Sequence, residues 1–570
     1  MLEWLRDNMA ADRFGSKSIA VIMSAVLISF FLLYCGGSSD GDGETPKTAV
    51  FAPVVFTADN DTPGVIELYA SFDDGTNIVK LSGALVAGGN VVDFRVSPVS
   101  TDGTWVAYVA DQDTDDVFEL YVVSVDKTDS DNPVKISGDP MAGNGIMEKA
   151  SGRYAFQWAP DTSRVAYLAD QTTANVIELY SNTPDGSSST TRRLSVMPAT
   201  NRDVEDFAWS PNLDNHRRIA YLADEQIVDV IELYTTAPDQ TLSVKINDGL
   251  IPGGNVTDFE WAPDASRIAF IADKINDDVF QLYTTFPTTT SDTLVSGSLA
   301  LTSDVLNFRW SPSAARLAYL VQTVAPDFQL LATPNDAGPS TSISSDIEDG
   351  EKSNYGWSPD GSLIAFIADE DILDQFELYT SDPADAATKT QVSENPVSGG
   401  DVKAFKWAPN ETELRIAYTA DQETNDKIEF YTTTPPPSIN VEKVSGTPFA
   451  GDKVENDFKW SPDSSLIAYR ADQDTLNQIE LYSVEPDGSD NDKVSGTLPN
   501  GGDVVEFKWN DHDTVDTSVG YLANQISVTV NELFASLPNG TENTRLSSNL
   551  VDSNGNPEAD GNVSAFEWVP

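Results

Sequence analysis

Carboxylates are the residues of this 570-residue chain best equipped for chemistry: 90 Asp and Glu stand against 34 Lys and Arg and two His, for a formal net charge of −56. The densest recurring group is Asp111, Asp113, Asp115 and Asp116, echoed by Asp369, Asp371 and Asp374 and by Asp472 and Asp474. Alternating carboxylates supply hard oxygen ligands and resemble the start of a calcium loop, so Asp111, Asp113 and Asp115 are the candidate metal ligands and calcium the candidate cofactor. The glycine and closing bidentate glutamate of an EF-hand are not at their required offsets. The alternative for a leading Asp in such a turn is a bond to its own backbone amides.

A second set carries the opposite charge. Before each recurring Trp, or the Val96 that replaces the first one, the residue is Arg95, Arg309, Lys406, Lys459 or Lys508 in half of the repeats. Period-two alternation turns it away from the aromatic pair that flanks it. Asp93 before Arg95 and Asp457 before Lys459 offer simple charge pairing. The sharper reading is a basic collar around a channel, able to hold an anionic ligand inside an acidic exterior.

Histidine limits the enzymatic readings. His216 and His512 lie in the polar segments NLDNHRR and WNDHDT, and HExxH and a phosphate-binding glycine loop are absent from the sequence. The glutamate of a recurring E-L-Y phrase, Gln281 and Gln329 in two of its copies, is repeated where a catalytic acid would be unique, so it reads as an inter-strand hydrogen-bonding group. The chain is therefore expected not to be an enzyme. The runner-up is a carbohydrate-active enzyme using carboxylates of the acidic face.

The elements that must position these residues are announced by a repeat. FKWSPDSSLIAYRADQDTLNQIELYSVEPDG, beginning at Phe458, is its fullest copy, and its Trp returns about every fifty residues at Trp158, Trp209, Trp261, Trp310, Trp357, Trp407, Trp460, Trp509 and Trp568. Such a period marks one propeller blade per repeat. Four short strands fit each copy, separated by a DGS-type turn, an acidic turn and a PDG turn. The second strand, as in Ile268 to Ala272, is apolar throughout and suits burial on both faces. The predicted fold is an all-β propeller of about ten four-stranded blades over residues 50–570, with two smaller tandem propellers as the alternative. The first copy lacks an inner strand and the C-terminus supplies a spare one, Phe566 to Pro570, so the last strand is expected to complete the first blade and remove two unpaired edges. The tryptophans read as blade-to-blade packing.

The WSPDGS and AYxAD…ELY phrases resemble the WD40-like propeller repeats of the TolB type, found in bacterial envelope proteins, over residues 50–570. That resemblance implies a binding propeller and no particular ligand. TolB itself carries an α/β domain before a six-bladed propeller and works with a peptidoglycan-associated lipoprotein; with no such domain and more repeats here, that partner does not transfer. Similar repeats precede the hydrolase domain of prolyl oligopeptidases; with a blade strand at the end of this sequence, that domain is expected to be missing.

Residues 19–34 form an uninterrupted apolar stretch after Arg13 and Lys17 and run into Cys35, the single cysteine, followed by a polar linker over 36–49. This resembles a bacterial lipoprotein signal over 1–35 in which Cys35 is the lipidation site. An uncleaved membrane anchor is the alternative. Either places the propeller at the cell envelope, with an outer-membrane lipoprotein facing periplasm or cell surface as the expected form and the N-terminal anchor as its contact with the membrane. One cysteine excludes an intramolecular disulfide. The charge of −56 argues against nucleic acid as a partner, because that contact needs basic patches. The expected function is an envelope-tethered, non-enzymatic propeller that binds a protein or glycan partner.

Overall fold

Short strands bounded by Asp, Asn, Gly and Pro cannot bury both their faces alone, and the chain resolves this by stacking ten antiparallel four-stranded sheets as the blades of one ring. The computed structural model describes residues 51–570 apart from internal runs, the longest being 548–561. Blade 1 consists of Phe51–Ala58, Glu67–Asp73 and Asn77–Lys80, completed by the C-terminal strand Val563–Trp568. Blades 2 to 10 follow in order over residues 91–135, 156–193, 204–245, 256–294, 304–344, 355–391, 402–443, 459–493 and 504–545.

Closure takes the expected form. The last strand pairs antiparallel with the first, Val54 opposite Trp568 and Phe56 opposite Phe566, so blade 1 holds both ends of the propeller. The tandem-propeller alternative is corrected by the joints between blades. Each indole from Trp158 to Trp568 donates to a backbone carbonyl of the preceding blade, for example Trp158 Nε1 to Arg95 O at 3.0 Å, Trp357 to Arg309 O at 3.2 Å and Trp568 to Lys508 O at 3.2 Å, and the series has no break at which a second ring could begin.

Core packing follows from the strand sequences. Second strands such as Val165–Ala169, Ile219–Ala223, Ile268–Ala272 and Ile364–Ala368 are buried at every position, as a strand sandwiched between neighbouring blades must be. Their central aromatic stacks on the third-strand aromatic across the ladder in nine blades, as Tyr221 does on Tyr234 with ring centroids 5.4 Å apart. In blade 6 Leu331 stands opposite Tyr319 instead.

The acidic turns between second and third strands bring two connections to one face of the disc. Asp224 accepts the Asp203 amide at 2.7 Å and the Asp229 amide at 3.1 Å; Asp421 does the same for Asp401 at 2.7 Å and Asp426 at 2.9 Å. One carboxylate thus fixes both its own turn and the start of the inner strand. The residue five positions on takes a left-handed φ, 60° at Asp229 and 63° at Asp426, which Asp and Asn tolerate better than other non-glycine residues. Turns of this kind from successive blades form a crown.

Candidate functional site

Across each joint of the ring, the residue before Trp makes two contacts. In blade 9 the Lys459 carbonyl accepts the Trp509 indole at 2.9 Å, while Lys459 Nζ reaches back to the same neighbour, donating to Phe507 O at 2.5 Å and lying 4.8 Å from the centroid of the Phe507 ring. Lys406 clasps Phe458 and Lys508 clasps Phe566 in the same way, at 2.7 and 2.5 Å. Arg95 donates to Tyr154 O at 3.0 Å and to Phe156 O, with its guanidinium over the Phe156 ring; Arg309 sits 5.6 Å from the Tyr355 ring. Burial lowers the pKa of Arg95, Lys406 and Lys459, against nearby carboxylates that raise it. The structure therefore brings the five collar residues to the inner strands and directs their charge at the next blade. Of the expected pairings, Arg95 is 3.8 Å from Asp93, whereas Asp457 bonds Arg470 at 2.8 Å.

The joint between blades 1 and 2 differs because Val96 has no indole. Glu567 Oε2 accepts the Val96 amide at 2.9 Å there, and burial raises the pKa of that carboxyl. Beside it the inner strands of blades 9, 10, 1 and 2 bound a cavity of about 710 Å³ that presents Trp460, Trp509 and Trp568.

The crown carries the other candidate residues. Asp111 is buried and spends its two oxygens on the amides of Asn90 at 2.5 Å and Asp116 at 3.1 Å. Asp111, Asp115 and Asp116 place carboxylate oxygens within 4.8 Å of one another, as do Asp273, Asp277 and Asp278 in blade 5. Both clusters offer oxygens to a cation. Asp113 stands apart from its cluster and faces Lys135 Nζ at 3.6 Å. The E-L-Y glutamates join strands, as the sequence suggested: Glu232 accepts the Tyr234 hydroxyl at 2.9 Å and Lys245 Nζ at 2.7 Å, and Glu429 the Tyr431 hydroxyl at 3.1 Å and Lys443 Nζ at 2.6 Å. Cys35, His216 and His512 lie outside the described residues.

Sequence reasoning passed over the tips of the crown turns. Leu373 is 82% exposed, Ile526 60%, Ile227 59%, Leu476 56% and Ile275 53%, each on a different blade and in the turn between second and third strands, a turn that is acidic in all but the case of Ile526. Val92 and Val505, second in their inner strands, and Leu306, third in its own, are exposed as well. The signal was in plain view as the Ile or Leu of phrases such as DEDILDQ and DQDTLNQ.

No family model matches the chain, and no curated protein matches it. Among solved structures it is similar to dipeptidyl peptidase 4 of Porphyromonas gingivalis, at 12% identity and a TM-score of 0.42, over 75% of this chain and 64% of that one. An oligogalacturonate lyase in complex with manganese gives 14% and 0.33 over 69% of this chain and 99% of the lyase. A protein assigned to TolB from Agrobacterium tumefaciens gives 14% and 0.26 over 54% and 92%. The chain thus spans less than two thirds of the peptidase, and at these identities the likeness is one of fold. It corrects the expectation of a non-enzymatic protein. Peptidases and a lyase stand among these similar structures, and that expectation is not carried further.

Proposed function

We propose that the chain is an exported, envelope-tethered propeller that docks a protein partner on its crown. The observation that carries this reading is the ring of aliphatic tips: turns on five blades expose Ile227, Ile275, Leu373, Leu476 and Ile526 to solvent on one face, where turn chemistry alone would place polar side chains. Carboxylates flank the tips at Ile227, Ile275, Leu373 and Leu476, so the complementary surface is apolar at its centre and basic at its rim, and association is steered by charge and weakened by salt. The cluster of Asp111, Asp115 and Asp116 lies on that face and is where calcium would bind, supported by the convergence of its three carboxylates.

A photo-crosslinking residue at position 373 should give a discrete adduct in the envelope fraction of the source cells, and Leu476→Ser with Ile526→Ser should abolish it. The same probe at Leu242, exposed on the opposite face, should give none. Adducts of equal yield from both faces, or none from position 373, would refute crown docking. Tethering is tested separately: palmitate should label the full-length chain and not Cys35→Ser, while an unlabelled membrane-bound product would favour an uncleaved anchor.

A further inference from the structure

We infer that the face opposite the crown holds a binding site for an acidic saccharide, in the cavity of about 860 Å³ where blades 3, 4 and 5 meet. The cavity presents Arg164, Arg217 and Arg218 against Asp161 and Asp239. The equivalent hollow between blades 8 and 9 supplies an internal comparison. It measures about 180 Å³ and sets a single arginine, Arg415, against Glu413, Glu485 and Asp487. The same local architecture, in which a third-strand threonine donates to a proline carbonyl of the next blade at 2.6 Å (Thr235 to Pro287, Thr432 to Pro486), thus yields one basic and one acidic hollow. In a chain of net charge −56, a site where arginine outnumbers carboxylate is the exception.

The guanidinia at this repeat position have different uses. Arg267 in blade 5 lies over the Phe286 ring at 4.2 Å, and Arg415 donates to Pro486 O at 3.2 Å. Arg218 instead directs two nitrogens at the Thr235 hydroxyl, at 3.3 and 3.0 Å, and among the described residues it forms no ion pair. A hydroxyl holds a guanidinium in place without neutralising it. Burial lowers the pKa of Arg218 and of Arg164, as expected of cations drawn into a hollow. Arg217, an insertion of blade 4, pairs with Asp161 at the rim and donates to Ser163 Oγ at 2.5 Å.

A guanidinium fork fits a planar carboxylate. The rest of the lining, Thr183, Gln240, Ser266 and Thr288 with Trp261 beside them, suits a hydroxyl-bearing body with one apolar face. The volume is in the range that takes a small organic ligand, far more than a bare anion fills. The acidic surroundings disfavour ligands with dense phosphate charge.

Isothermal titration of the full chain with glucuronate, glucose and sodium sulfate, at matched ionic strength, tests the assignment. Glucuronate should bind with a Kd of about a millimolar or below, and glucose and sulfate each about tenfold more weakly. Arg218→Gln should weaken glucuronate about tenfold. Arg217→Gln, at an exposed position, should weaken it less, and Arg415→Gln should leave it unchanged. Absence of glucuronate binding, binding unaltered in both Arg218→Gln and Arg217→Gln, or sulfate binding as tightly as glucuronate would each overturn the proposal. The crown variants should bind glucuronate normally, which keeps this test separate from that of protein docking.

Discussion

Replacing Lys459 with Met asks whether the collar residues hold the ring together. The ammonium donates to Phe507 O at 2.5 Å and lies 4.8 Å from the Phe507 ring, while methionine keeps an unbranched stem of similar reach. A hydrogen bond to a charged group contributes about 1.5–3 kcal/mol and a part-exposed cation–π contact about 0.5–1 kcal/mol. The desolvation that lowers the lysine pKa offsets part of this, leaving a net loss of about 2 kcal/mol. An unfolding entropy of about 2.1 cal/mol/K per residue converts that loss, for a ring unfolding as one unit, into a fall of about 2 °C by scanning calorimetry. Lys403→Met removes an exposed crown pair with Asp401 and should cost less than about 0.5 kcal/mol. An unchanged melting temperature in Lys459→Met, together with loss of stabilisation by added anions, would refute the clasp and return the charge to a channel ligand.

Deleting residues 566–570 removes the half of the inner strand of blade 1 that pairs Val54 to Phe56; the buried Phe566 and Trp568 each account for about 3–5 kcal/mol, so a truncated chain melting with the full one would refute the closure. Burial holds the tyrosine hydroxyls of the second and third strands above their ordinary pKa, up to about 12 at Tyr167, Tyr469 and Tyr521. These acids stay protonated in the folded ring while the unfolded chain loses their protons above about pH 10, so each withdraws about 1.4 kcal/mol of stability per pH unit between about pH 10 and its folded pKa. Urea midpoints that stay level through pH 11 would contradict this. If calcium sits on the crown, 5 mM calcium should raise the melting temperature more than sodium chloride of about equal ionic strength, because site binding adds RT ln(1 + [L]/Kd). Asp115→Asn with Asp116→Asn should reduce the excess, and equal effects of the two salts would leave Asp111 with its turn amides as sole partners.

What the sequence makes legible is whatever recurs along one strand. Blade number, the four-strand order, the closure by Phe566 and Trp568, and the turn role of the leading Asp all follow from phrases repeated at fixed offsets, where period and turn chemistry decide. Contacts across a joint are not legible in that way. Asp457 stands two residues before Lys459 and was the expected partner, yet the lysine crosses to Phe507, a residue 48 positions away. The arginine cavity is harder still, since Arg164, Arg217 and Trp261 come from three blades. Its visible trace was the NLDNHRR insertion, which doubles the arginine before the second strand of blade 4.

Within the ring, repeated positions vary in concert, and that separates joint from ligand. Glu67, Glu119, Glu178, Glu232, Glu429, Glu480 and Glu532 each have a Lys or Arg of the fourth strand as partner. In blade 5 the third-strand Tyr283 faces Leu294, in blade 6 Leu331 faces Ser342, and the glutamate is replaced by Gln281 and Gln329. Glu377, beside Gln391, departs from this rule. A carboxylate kept mainly where its cation stands, and neutralised where the cation is gone, is answering a neighbour in its own blade. The same holds at the seam, where Val96 lacks an indole and Glu567 supplies a bond to its amide. Binding to another molecule should show the reverse sign: a charge added without a compensating one inside the fold. Arg218, seated on a hydroxyl with the inserted Arg217 beside it, is such a position. The aliphatic tips of the crown are its apolar counterpart, exposed where no other blade covers them.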